Sequence, residues 1–141
     1  MSVKWKNQDG ASAVEFALVL PILVLVVFGI IEFSVALYDK AMITNASREG
    51  ARAGIVFRLP PVTDEEIGNV VNTYLGGNLI TFGGPAAANT TVIRNGSNPP
   101  NPGDELKVTV DYTYTFLIIP NIITQLSGGI TMVAETVMRM E

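Results

Sequence analysis

A chain of 141 residues and 15.1 kDa has room for one small domain beside a membrane anchor, and two independent soluble cores would not fit. Cysteine and histidine are both absent, which excludes disulfides, Cys/His zinc sites, thiol nucleophiles and imidazole bases; no catalytic, cofactor-binding or metal-ligating residue is expected, and the chain reads as a non-enzyme. A hydrophobic share of 48% against 16% charged, with a net charge of -4 and scattered Lys and Arg, excludes a nucleic-acid footprint and points to lipid or partner subunits as part of the solvent.

Residues 1–10 are polar and weakly positive through Lys4 and Lys6. Residues 16–31 then read FALVLPILVLVVFGII, with no charged or hydrogen-bonding side chain. This run rises about 24 Å as a helix, short of the roughly 30 Å hydrocarbon layer. Small apolar residues before it and Phe33, Val35 and Leu37 after it make up the difference, so residues 11–38 are predicted as a membrane-spanning helix. Pro21 and Gly29 interrupt the run, but membrane helices tolerate both where neighbouring groups re-satisfy the backbone. The run is longer than a secretory signal core and is followed by poor cleavage candidates, so it is expected to remain as an anchor. Lys and Arg stand on both flanks, and their count leaves the orientation open.

Glu15 stands one step before the apolar run. Deep insertion of a carboxylate is heavily disfavoured unless it meets a cation or takes up a proton. No Lys or Arg lies three or four residues away on the helix, so a partner would come from another molecule or from a newly exposed amino terminus. The alternative is a place among the headgroups. Glu32 is expected at the headgroups, because Ser34, Tyr38, Asp39 and Lys40 follow it closely.

Residues 39–59 are predicted to continue the helix beyond the membrane. Glu49 and Arg52, three apart, are placed to pair. Ala46, Gly50 and Gly54 form a small-residue stripe suited to close packing against another helix or a sheet. Pro60 and Pro61 must end the helix, because the residue before a proline is pushed out of the α region.

Residues 60–141 are predicted to form a small α+β domain. Thr63 followed three residues later by Glu66 is a capping box, and Ile67, Val70, Val71, Tyr74 and Leu75 then recur at helical spacing until Gly76 and Gly77. The consecutive acids Asp64, Glu65 and Glu66 belong to that cap rather than to a metal. Residues 90–94 suggest an edge strand, Asn95 and Gly96 a turn, and residues 99–104 a second connection. Residues 106–116 alternate strictly, with Leu106, Val108, Val110, Tyr112, Tyr114 and Phe116 on one face. Residues 122–126 suggest a turn of helix, Gly128 and Gly129 a reversal, and residues 130–140 a last strand. The expected fold is α+β: a long N-terminal transmembrane helix continuing into a stalk, then a short helix and an antiparallel sheet of about three strands, with the helices over the aromatic face.

The segment GASAVEF, residues 10–16, followed by ALVLPILVLVVFGIIEF and then NASREGARAG, closely resembles TadE-like proteins, the minor pilins or pseudopilins of the tight-adherence, Flp-type pilus machinery of bacteria. The resemblance implies a leader of residues 1–10, cut between Gly10 and Ala11 by a prepilin peptidase. It implies that Glu15, fifth in the mature chain, registers with neighbouring pilin subunits by meeting an N-terminal amine. Flp pilins commonly carry tyrosine after that glutamate; here Phe16 follows it, so any role needing the phenol is lost. The implied partners are membrane lipid, the peptidase, other pilin or pseudopilin subunits and the inner-membrane assembly platform. The implied location is the bacterial inner membrane, with the C-terminal domain outside the cytoplasm. The alternative is an unprocessed membrane-tethered structural or binding module outside any pilus.

Overall fold

The structure is a computed structural model, and it describes residues 8–81, 87–97, 99–117 and 129–140. Its first element, α1, is the 47-residue helix Gln8–Gly54, which contains Pro21. At 1.5 Å per residue it is about 70 Å long, more than twice what a bilayer core requires. It ends at Gly54, five residues short of the expected 59: Ile55 N donates to Ala51 O at 3.1 Å, and the chain then leaves the helix toward Pro60 and Pro61. A Cβ at Gly54 would lie 2.7 Å from Ile67 Cδ1 and closer still to Leu106 Cδ2, so the domain approaches the chain there where it has no side chain.

The short helix α2 is Asp64–Leu75. Its capping box is formed: Glu66 N donates to Thr63 Oγ1 at 3.2 Å, and Thr63 N donates to Glu66 Oε2 at 2.8 Å. These bonds, with Arg58 beside it, hold the Glu66 carboxyl down at about 2. Ile67, Val71 and Leu75 form the buried stripe of α2. Arg94 fastens the start of this helix to the sheet, donating to Asp64 Oδ1 at 2.6 Å and to Val62 O at 2.8 Å.

The sheet contains β1 (Ala88–Asn95), β2 (Glu105–Tyr114) and β3 (Ile130–Arg139), all antiparallel, in the order β1-β2-β3. The central strand carries Leu106, Val108, Val110, Tyr112 and Tyr114 inward, all buried. They meet Ile43, Ala46 and Ala51 of α1, and Ile67, Val71 and Leu75 of α2, in one core. Ser47 of α1 is buried too, and its hydroxyl meets Thr136 Oγ1 of β3 at 2.8 Å, so the core leaves it satisfied. The aromatic face is covered by the two helices, as the alternation required.

The turn expected at Asn95 and Gly96 and the connection over 99–104 prove to be one loop. Asn95 pairs with Glu105, so residues 96–104 join β1 to β2. The Asp104 carboxylate organises that loop by accepting from Ser97 N at 2.9 Å and Asn101 N at 2.8 Å, which lowers its pKa. The helical turn expected over 122–126 and Gly128 lie outside the described residues.

The sheet runs back along the stalk. Leu106, at the start of β2, packs where α1 ends, and Leu117, just beyond its end, bonds to Glu32. The two paths match in length: residues 32–54 of helix rise about 33 Å, and residues 106–117 span at most about 37 Å of extended chain.

Candidate membrane and assembly site

The free part of α1 is its first half. Residues 11–31 are exposed, apart from a half-buried Gly29, although almost all are apolar. The helix carries an 18-residue window of mean hydropathy 2.9, none of it buried within the fold, and is long and apolar enough to cross a membrane. Such a surface is stable only when lipid or other apolar helices solvate it.

The residues singled out near the start of this segment all lie on it. Gly10 and Ala11 sit inside the helix, which begins at Gln8 and runs through them without a break, and nothing approaches within 4 Å of a Cβ built on Gly10. Glu15 and Phe16 are exposed on the same segment. No part of the described globular domain covers them.

Glu32 has a different environment from the headgroups expected for it. It is 3% exposed; its Oε1 accepts from Leu117 N at 2.5 Å, and its backbone carbonyl accepts from the Tyr114 hydroxyl at 3.4 Å. The domain supplies the Leu117 amide to this carboxylate and the Tyr114 hydroxyl to its backbone, so protein takes the place of the polar membrane surface. Tyr114 also meets Phe116 edge to face, with ring centroids 5.1 Å apart.

A second acid, Asp39, is buried on the same helix. It is 0% exposed, its Oδ1 accepts from Ile80 N at 3.0 Å, and its buried Oδ2 has no hydrogen-bond partner among the described residues. Burial raises its pKa, against the opposing effect of the Ile80 bond. Burial likewise raises the Tyr112 hydroxyl, with the Asp39 charge adding to it. It pushes Tyr114 up to about 12, helped by Glu32, Asp39 and Tyr112. A signal was present: Glu32, Ala36, Asp39, Ile43, Ala46, Gly50 and Gly54 recur at intervals of three and four, one helical face. That stripe carries two acids among its small and apolar members.

Ala46, Gly50 and Gly54 continue this face and are all buried. A Cβ at Gly50 would meet Val71 Cγ2 at 2.6 Å and lie 3.5 Å from Val108 Cγ1, so both α2 and β2 approach the bare backbone. The ion pairs among the described residues are Arg58–Glu66, Arg94–Asp64 and Lys107–Glu135; the pair expected between Glu49 and Arg52 is not among them. Lys40 instead of pairing with an acid donates through its ammonium to Val133 O of β3. No group of three acids gathers among the described residues in a way that could hold a metal ion.

No curated protein and no solved structure matches the chain. Residues 10–52, which hold the exposed apolar run, Glu15, both buried acids and most of the small-residue stripe, match the family model described as TadE-like protein.

Proposed function

We propose that this protein is a minor pilin or pseudopilin that supports assembly of a Flp-type adhesion pilus. At family level it stands with the TadE-like pilin proteins involved in pilus assembly, a non-catalytic family. The observation that carries the finer reading is the exposed segment 11–31, with Glu15 at its start and a packed domain only from Glu32 onward. In this reading residues 11–38 cross the bacterial inner membrane, the helix beyond them is a stalk, and the domain from residue 60 lies outside the cytoplasm. A prepilin peptidase removes residues 1–10 by cutting between Gly10 and Ala11.

The physical role of Glu15 follows from its surroundings. A carboxylate among apolar residues is stabilised by a cation at close range, and the amine of a neighbouring subunit freed by the cut would supply one. Desolvation offsets much of that attraction, so the pair contributes register more than strength. Phe16 then packs beside it as an apolar contact without a hydroxyl. The small residues at 46, 50 and 54 serve a different purpose in the same reading, since they seat the domain on its own stalk. The assembly platform in the membrane and other pilin subunits are the partners.

The alternative reading is an unprocessed membrane tether acting outside a pilus. Intact and N-terminal peptide mass of the protein purified from native membranes separates the two. A chain that begins at Ala11, and reverts to full length when the prepilin peptidase is inactivated, is the expected result. A retained leader sinks the processed-pilin reading and leaves the tether.

A further inference from the structure

The domain meets the stalk so low that its own base lies beside the apolar run. Glu32 follows Ile31 directly and is already bonded to Leu117. Around this level most of the exposed side chains, Ser34 and Thr131 apart, are apolar: Phe33 is 61% exposed, Leu37 55%, Leu117 53% and Val133 49%, with Ile130 nearby at the start of β3. Between α1 and the end of the sheet runs a groove of about 330 Å³, lined by Phe33, Leu37, Phe116, Ile130 and Val133 among others, with Lys40 at its upper end. Apolar area of this kind in water is unfavourable unless something covers it.

We propose that this base is a membrane-docking surface, seated on an anionic phospholipid leaflet with Lys40 against the headgroup phosphates. The proposal rests on the reading of residues 11–38 as the membrane-spanning helix, with residues 11–31, about 30 Å of helix, in the hydrocarbon core. The exposed apolar surface of α1 continues from that segment into Phe33 and Leu37 without a polar break other than Ser34 and the buried Glu32. The dimensions fit as well. The headgroup layer is about 5–7 Å deep on each side, and Phe33 to Leu37 lie about 3–9 Å above Ile31 along the helix.

Lys40 stands about 13 Å above Ile31 on the helix axis, but helical side chains lean toward the N-terminus, here toward the membrane. Its ammonium has three donors, and the Val133 carbonyl takes one of them. The remaining donors fit a phosphate. The acids Asp64, Glu65, Glu66, Asp104 and Glu105 lie at the far end of the domain with Arg58, Arg94 and Arg139, while nearer the base Lys40 is the cation among the described residues and Asp111, paired across the sheet with Val133, is the half-buried acid. Glu32 and Asp39 are turned inward and buried, so they do not present charge to the leaflet.

The test uses the full chain reconstituted in vesicles of phosphatidylcholine, with or without phosphatidylglycerol. The natural sequence lacks cysteine, so Val24→Cys, Leu117→Cys and Val56→Cys each give a single fluorophore site. Mid-chain spin-labelled lipid should quench the Val24→Cys probe, headgroup spin label should quench the Leu117→Cys probe, and neither should reach the Val56→Cys probe. Phosphatidylglycerol should increase quenching at position 117. Lys40→Gln should lower the docked-to-undocked ratio there by about fivefold, the equivalent of ~1 kcal/mol for one basic residue at an anionic surface, and Lys40→Arg should restore it. Quenching at 117 no greater than at 56, with position 24 quenched, overturns the docking while the anchor stands. An unquenched probe at 24 overturns the anchor reading itself. Shielding at 117 that follows protein density and ignores lipid composition assigns the surface to a second copy and overturns the proposal, as does a Lys40→Gln chain that keeps its response to phosphatidylglycerol.

Discussion

Asp39 shows how much one buried acid can govern. Because its pKa is raised by burial, the folded chain keeps this proton at a pH where the unfolded chain has released it. The native state then binds more protons, so this group's contribution to stability falls as pH rises from about the ordinary value of 3.8 through the raised one. Asp39→Asn keeps an oxygen for Ile80 N and removes the ionisation. Its thermal unfolding in detergent should show a flatter decline across that window than the parent, and an unchanged slope would refute the assignment. Glu66 has the opposite sign. Its carboxyl is held at about 2 by the Thr63 and Arg58 bonds, so its contribution is present above 4.5 and lost as pH falls toward 2. Thr63→Ala removes the hydroxyl of the same cap and should cost about 1 kcal/mol of stability, read from denaturant unfolding of the domain.

At the scale of elements, the junction of α1 with α2 and β2 depends on bare backbone. Gly50→Ala gains roughly 1 kcal/mol of helix propensity but drives a methyl into Val71 Cγ2, a stiff β-branched neighbour, at 2.6 Å. Overpacking of this kind costs about 1–3 kcal/mol, so the net effect should be a lower melting temperature. Gly68 in α2 is the control: nothing lies within 4 Å of a Cβ there, and Gly68→Ala should raise the melting temperature. If both substitutions stabilise, the close approach at Gly50 is not what seats the stalk. The same close approach is found where α1 stops. The prolines at 60 and 61 set an outer limit, and the helix ends before it at Gly54, where Ile67 and Leu106 close on the bare backbone.

The whole molecule joins two solvents along one helix. If Glu15 sets register between subunits, Glu15→Leu should leave the protein in the membrane fraction, since it adds to an already apolar run. Its incorporation into sheared pilus material should fall at least tenfold, matching the loss of about 1.4 kcal/mol or more from a desolvated charge pair. Equal recovery of parent and variant in that material would refute the role. The consequence for the domain is separate, because Glu15 lies well away from the core and thermal unfolding should not change.

The sequence by itself determined the elements and their order. A sixteen-residue apolar run, a capping box at Thr63 and Glu66, strict alternation from Leu106 and the proline pair are local patterns, and each is set by backbone sterics or by period. The likeness of residues 10–52 to the TadE-like family model was legible for the same reason, since those residues are contiguous. What only the tertiary structure decided depends on contacts between residues distant in the chain. Glu32 is bound to a loop 85 residues later, and Asp39 to Ile80, 41 residues on. Helix periodicity could place both acids on one face, but not say whether that face meets headgroups or protein. That depends on where the returning strand ends, which is set by the length of β2 matched against the stalk.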